Sequence, residues 1–467
     1  MKNKRPQTYQ IAQFALRKKY KDLSPEIIDQ LKKHLLDSIA SLIHCVNSPT
    51  IQKLKKKIDF LSDGGKIIVP SKAKLPLDRA AEFYTALIRY PDFMDNFLGK
   101  EATCHPSDNI GSLLAAAQIN NSSGKEFLLA MAIGYEIECR LIEEIPVMMK
   151  GFDHTLLLAY SIAAELCSFL KLDEEQTANA LSIAGCSFNP LVTCRASYTR
   201  EWKGLLSSIV ALGSFNAVLS AKEGITGPTD IFEGPKGFEK EFGMALDFDW
   251  TKDQFNLIPK CVLKSYNAEV HTQSLIEATI ELKEKYKIDY KKVDRIVATT
   301  FLTAYHIVGG GEYGDRIKVF SKEQGDHSIP YVLSVALIDG EVYPDQFLPK
   351  RINKADVQKL MKKVEVNTKF PLHKPLKVAG ILDPYTKVYP EKLMGEVKIV
   401  LKDGKEYSLE KEDYYGFYTR PMSWDDVKNK FYKLTDKIIG VRLQQKIIDA
   451  ITNFENIDVK TFIKLLA

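Results

Sequence analysis

The chain has 467 residues, of which 45% are hydrophobic and 27% charged, and Lys plus Arg exceed Asp plus Glu by only 65 to 60. A net charge of +5 diluted over that length gives no basic face for nucleic acid, and the size suggests roughly two or three domains. The start "MKNKRPQTYQ" leads into no apolar segment and no membrane-length apolar run follows, so neither a signal peptide nor a membrane span is expected.

The first stretch of about 260 residues reads as helices. "SPEIIDQLKKHLLDSIASLIHCV" has apolar residues at helical spacing, with Ser24 as expected N-cap and Pro25 at the first helical position. The run Lys53 to Lys57 reads as the solvated face of a further helix. "KEFLLAMAIGYEIECRLIEEI" and "HTLLLAYSIAAELCSFLKL" are apolar nearly all round, the mark of central, buried helices. "DEEQTANALSIAGCS" and "WKGLLSSIVALGSFNAVLSAKEG" continue the pattern, the latter ending at Gly224. The pattern then changes. "VDRIVATTFLTAYHIV" is β-branched and strand-like, and "VEVNTKF" and "GEVKIVLKDGKEYSLEK" alternate with period two around the hairpin signal Asp403-Gly404. The helical segments "HTQSLIEATIELKEKY" and "ADVQKLMKKV" lie among them. "WDDVKNKFYKL", "QQKIIDAITNF" and "VKTFIKLLA" end the chain as helices. The expected fold is mainly α, with a large all-helical domain over residues 1–264, a smaller α+β domain over 265–408, and a helical return over 409–467.

Seven cysteines, an odd number without a C-x-x-C pair, fit free thiols in a reducing compartment and argue against zinc or an iron–sulfur cluster. Gly309, Gly311 and Gly314 match G-x-G-x-x-G, but "DRIKVFSKEQGDHSIP" after them does not read as the helix a dinucleotide site needs, so a glycine loop is the better reading.

The stretch "DFMDNFLGKEATCHPSDN" mixes three aspartates, two asparagines, a lysine and a histidine with Phe93, Met94, Phe97 and Leu98. If its first part is helical, Asp92 and Asn96 share a face. Ser107 or Asp108 can cap a helix starting near Asn109, which puts His105 close to a helix N-terminus. His154, after Gly151, repeats the arrangement at the start of a long apolar helix. Helix N-termini favour anions and disfavour imidazolium, so two neutral histidines there suit acid–base work beside a carboxylate, although a single histidine is more often structural. Arg200 and Lys203 precede a buried helix in "SYTREWKG". Lys264, Tyr266 and His271 lie in "CVLKSYNAEVH" where the composition changes, and His327 and Tyr331 open another apolar helix in "GDHSIPY". Such cations serve either as salt-bridged structure or as anchors for a polycarboxylate.

With "IGSLLAAAQ", "LKSYNAEVHTQSLIEA", "DHSIPYVLSVALIDG" and "RPMSWDDVKNKF", these segments resemble the MmgE/PrpD family over nearly the whole chain, in order. The resemblance implies a helical domain built from both chain ends, an α+β lid, a homodimer, and an active site between the domains that works without cofactor or metal. It carries Asp92, His105, His154 and Tyr331 onto catalytic positions, and Asn96, Arg200, Lys203 and Lys264 onto substrate-binding ones. Asn96 falls where the cis-aconitate decarboxylases of the family have threonine, which favours a dehydratase. The "H-P" often found at the second histidine is His154-Thr155 here.

The expected activity is therefore dehydration of 2-methylcitrate to 2-methyl-cis-aconitate in the methylcitrate cycle of propionate catabolism, by a cytoplasmic enzyme with no nucleic-acid or membrane partner. Citrate dehydration, cis-aconitate decarboxylation, epimerisation of a related acid, and a non-catalytic dimeric scaffold are the alternatives. His105 and His154 share the roles of base and acid, Asp92 orients His105 or meets the substrate hydroxyl, and Tyr331 is expected as a donor.

Overall fold

The computed structural model describes residues 5–99, 102–246, 248–250, 254–370 and 381–467; Lys100, one of the polar residues of the 92–109 stretch, lies outside them. The chain divides into two compact units, one of Met1–Val192, Gly204–Cys261 and Ser423–Ala467, the other of Thr193–Lys203 and Val262–Met422.

The first unit is a bundle of helices. Pro25–Cys45 begins as its sequence predicts, with the Ser24 hydroxyl accepting from the Ile27 amide. Gly124–Glu144 begins with a full capping box between Ser123 and Glu126. Thr155–Phe169 is buried at every position but Ser168, as expected of a helix apolar all round. It packs between Gly124–Glu144, Glu174–Ser187 and Leu206–Lys222. Leu77–Arg89 runs against Ile110–Ala116 so closely that a Cβ on Gly111 would come within 2.2 Å of the Thr85 hydroxyl. The C-terminal helix Trp424–Thr435 returns to pack on Pro25–Cys45. The unit is not wholly helical: Ile67–Ile68 pairs with Lys74–Leu75, and Phe97–Leu98 with Thr103–Cys104, as two short antiparallel ribbons.

The second unit holds a four-stranded sheet, with strands in the order Val364–Thr368, Val293–Thr300, Gly395–Leu401, Glu406–Lys411. The first pair is parallel and the other two antiparallel. The predicted hairpin turns with Gly404 at φ +85°, a conformation that favours glycine. Helix Gln273–Tyr286 covers the hairpin strands, and Ile329–Asp339 packs on that helix. Of "VDRIVATTFLTAYHIV", only the first half is strand. After Phe301 the chain turns into the helix Leu302–Val308, so the apolar pattern there was misread. The glycines of 309–314 follow that helix, and the next one begins only at Lys322.

The helical return begins at Ser423, not at 409. Residues 409–411 complete the last strand, and Tyr415 and Arg420 are tied to Glu277 of the second unit by hydrogen bonds of 3.0–3.1 Å. Residues 193–203 join that unit because the Arg316 guanidinium donates to the Ser197 and Arg195 carbonyls and Thr199 donates to the Glu323 carbonyl.

None of the seven cysteines is in a disulfide: Cys186 is exposed, Cys194 half-buried and the others buried. Cys139 and Cys261 bring their sulfurs to 3.6 Å. Among the described residues no helix is long and apolar enough to cross a membrane.

Candidate active site

In the first unit the stretch 92–109 is not helical at its start. Pro91 cannot continue Leu77–Arg89, and Asp92 takes a left-handed φ of +60°, which aspartate tolerates better than most residues. The fully buried Arg89 closes this turn. Its Nη1 donates to Asp92 Oδ1 at 3.1 Å, and its Nε lies 3.7 Å from Asp108 Oδ2. Asp108 does not cap a helix as expected; it accepts from the Ser207 hydroxyl at 2.5 Å. Phe93, Met94, Phe97 and Leu98 anchor the stretch in the core. Lys430, from the C-terminal return, lies 2.7 Å from Asp37 Oδ1, donates to the Phe93 carbonyl at 2.7 Å and sits over the Phe93 ring. Asn96 is buried as well.

His105 follows the short ribbon and stands at the N-cap position of the 3-10 turn Pro106–Asn109, which leads into Ile110–Ala116. Its Nδ1 is 2.9 Å from the Asp95 carbonyl. A carbonyl only accepts, so Nδ1 donates a proton to it. Asp95 is itself buried, and its carboxylate accepts from Tyr135 at 2.8 Å and the Ser107 amide at 3.0 Å, with His34 Nδ1 at 2.8 Å. Burial alone would push the Asp95 carboxyl upward, but the His34 and Ser107 contacts outweigh it and hold it below its ordinary range.

His154 takes its expected place before Thr155–Phe169. Its ring is buried, 5.4 Å from that of His105 and inclined by 64°. Asp153 Oδ1 lies 4.0 Å from His154 Nε2 and accepts from the amide and hydroxyl of Thr155. Deeper in the bundle, the Asn109 amide donates to Glu138 at 2.7 Å and its oxygen accepts from Ser161 at 2.8 Å. Glu165 is fully buried and neither of its oxygens has a hydrogen-bond partner among the described residues. Burial drives the Glu138 and Glu165 carboxyls well above the usual range.

The second unit holds the two expected lysines, Lys203 and Lys264. Lys203 is buried, with Nζ 3.4 Å from His327 Nδ1, and that nitrogen is 2.7 Å from Asp326 Oδ1. Lys322 reaches the other Asp326 oxygen at 2.7 Å. Burial pushes the Asp326 carboxyl up, and Lys322, Lys203 and His327 together bring it far below its ordinary value. Lys264 is fully buried, and with His271 and His327 it outweighs burial to lower the Glu269 carboxyl. Lys203 and Lys264 thus share one cationic neighbourhood of this unit through His327 and Glu269.

Two expected residues stand apart. Arg200 is exposed, just before the 3-10 segment Glu201–Gly204, where a long side chain keeps its charge in water. Tyr331 is fully buried and its hydroxyl donates to the Gln346 carbonyl, so its donor capacity is spent inside its own unit; burial raises its phenol. Sequence reading leaves Asp95 open between a capping or surface role and a catalytic one, and gives no sign of His34 and Tyr135, whose importance comes from long-range contacts, of Arg89, or of Asp326, which adjoins His327 in the quoted "GDHSIPY".

Residues 9–251 match the MmgE/PrpD N-terminal domain and residues 266–456 the MmgE/PrpD C-terminal domain. A cis-aconitate decarboxylase of Mus musculus is 23% identical over 465 residues, covering 94% of this chain and 89% of its own. A mitochondrial 2-methylcitrate dehydratase of Yarrowia lipolytica is 28% identical, over 64% of this chain and 61% of its own. A 2-methylcitrate dehydratase of Escherichia coli is 27% identical, over 66% of each. The match thus spans less than two thirds of the Yarrowia lipolytica enzyme and about two thirds of the Escherichia coli one. Because the two domain matches together take in most of its length, the chain belongs to the MmgE/PrpD family.

Proposed function

We propose that the protein is a hydro-lyase that converts 2-methylcitrate to 2-methyl-cis-aconitate without a cofactor. The observation that carries this reading is the pair of buried imidazoles 5.4 Å apart, one of them with its Nδ1 committed to a carbonyl. Dehydrating a β-hydroxy acid removes a weakly acidic proton beside a carboxylate and expels hydroxide, so it needs a base and a separate acid. In this proposal His105 Nε2 takes the proton. The C–H electron pair forms the double bond, and the C–O bond breaks as His154 gives its proton to the leaving hydroxyl, releasing water. Asp153 Oδ1 lies 4.0 Å from His154 Nε2, beside the group this step uses as acid. Asp92, held by Arg89, and Asn96 orient the substrate hydroxyl. Lys264 and Lys203 neutralise substrate carboxylates and the charge that builds up on the enolate-like transition state. Arg200 has at most a guiding role from its exposed position, and Tyr331 has no proton-transfer step.

A second reading, decarboxylation of cis-aconitate, is favoured by the length of the match to the Mus musculus enzyme. Asn96 speaks for the dehydratase. Incubating the metal-stripped protein with 2-methylcitrate, citrate and cis-aconitate, while following unsaturated product and released CO₂, separates the readings. Water loss from 2-methylcitrate is expected; CO₂ from cis-aconitate would sink the proposal, and turnover of none of the three would favour an epimerase or a scaffold. The assembly we propose is a homodimer in the cytoplasm. Light scattering on the purified protein tests the dimer, and fractionation of the producing cell the location.

A further inference from the structure

We propose that Asp95 is the positioning residue for His105: its carboxylate, clamped by His34, Tyr135 and the Ser107 amide, holds the loop so that its own carbonyl takes the Nδ1 proton of His105 and proton exchange falls to Nε2. This deepens the proposed reaction, and its catalytic meaning rests on that reading.

One residue makes two contacts to the segment that carries the imidazole. The Asp95 carbonyl meets His105 itself, and the Asp95 carboxylate meets the amide of Ser107, two residues further on. Together they pin the segment on either side of Pro106. The ring is thereby fixed in direction and in tautomer, because the two neutral forms of imidazole are close in energy and the hydrogen bond at one nitrogen decides which persists. The carboxylate does not float. His34 projects from Pro25–Cys45 and Tyr135 from Gly124–Glu144, two long helices of the core, and the two rings meet edge to face at 6.0 Å. A site carried by a loop thus takes its precision from rigid elements behind it. Asp95 touches the imidazole only through its backbone, so its side chain acts through His105.

The three donors differ in what they tolerate. Tyr135 can rotate its hydroxyl and His34 can present a bare Nδ1, but the Ser107 amide cannot turn. Asp95→Asn can therefore keep its oxygen on Ser107 and its NH₂ on the other two, whereas Asp95→Ala releases all three.

The test is nitrogen-15 NMR of the histidine-labelled full chain, with the His105 signals identified by their loss in His105→Gln, together with kinetics on 2-methylcitrate. The wild type and Asp95→Asn are expected to show His105 as a single Nδ1–H form, with turnover within about threefold of each other. Asp95→Ala is expected to show a mixture of tautomers, with kcat down roughly 100-fold and KM little changed, as for a misplaced rather than a missing group. If Asp95→Ala does not fold, the double variant His34→Gln/Tyr135→Phe is read in its place. A single Nδ1–H tautomer persisting in the folded Ala variant or in that double variant overturns the proposal. So does its absence from the wild type, or Asp95→Asn behaving like Asp95→Ala. The NMR reading needs no substrate. Tautomer loss in a protein that does not turn over 2-methylcitrate would reject the reaction and keep the positioning role.

Discussion

In the first unit the buried Asp95 carboxylate is satisfied by a backbone amide, a phenol and a histidine, and among the described residues no lysine or arginine touches it. In the second, the buried Asp326 carboxylate is met by Lys322 and by His327, with Lys203 close behind. Both carboxyls are held below their ordinary range against the pull of burial, but by different means. Directional hydrogen bonds fix where a group points, which a proton-transferring imidazole requires. An array of charges fixes a potential, which suits the capture of a polyanion and tolerates small displacements. The division of labour proposed above follows from that difference: proton transfer belongs to the first unit and charge to the second.

The comparison can be broken most directly at His105. Its alanine variant is expected to lose about 1,000-fold in kcat with KM nearly unchanged, the usual scale for a general base. Near-normal turnover would remove proton transfer from the first unit. Next comes Lys264→Ala, for which kcat/KM should fall about 100-fold, mainly through KM, since one buried charge contact to the substrate is lost. Unchanged steady-state parameters would take the second unit out of anchoring.

Tyr331→Phe sharpens the contrast from the other side. Turnover should persist, while stability measured by urea unfolding should fall by about 1 kcal/mol as the Gln346 carbonyl loses its donor. A large loss of kcat would instead make Tyr331 a proton donor. The smallest change is expected for Glu165→Gln. Its carboxyl is raised by burial, so the folded chain binds a proton that the unfolded chain releases as pH rises past the ordinary carboxyl range of about 4.5. That group therefore costs stability increasingly at higher pH. The variant should melt slightly above the wild type near pH 8, a gain that shrinks toward about pH 5, because the amide too is buried without a partner. A difference that grows toward acid pH would contradict the sign.

Much of the fold was legible because it rests on local rules. The Ser24 cap, the helix apolar all round after His154 and the Asp403-Gly404 hairpin each depend on neighbours within a few residues. The two histidines at helix starts were legible for the same reason. Asp95 was not. In sequence it is one aspartate of three in a polar stretch, and its partners His34 and Tyr135 lie 61 and 40 residues away. The expected helix over Asp92 and Asn96 failed on a backbone detail, the left-handed Asp92 after Pro91, which periodicity does not register. Tyr331 was legible as a residue type suited to catalysis, but not as the donor to a carbonyl of its own unit, which only the fold brings to its hydroxyl.

The cysteine thiols supply a clock for unfolding. Cys186 stands exposed and Cys194 half-exposed, while Cys45, Cys104, Cys139, Cys167 and Cys261 are shut in the core. Burial pushes the Cys167 thiol up to about 12 and those of Cys104 and Cys139 well above their usual value, so the native protein withholds the reactive thiolate as well as access to it. A thiol-reactive dye added in excess labels the accessible positions first, and each later equivalent records a molecule that has opened. Because the inner five span both the site stretch, at Cys104, and the helices behind it, peptide mapping of the late label reports which part of the bundle opens first.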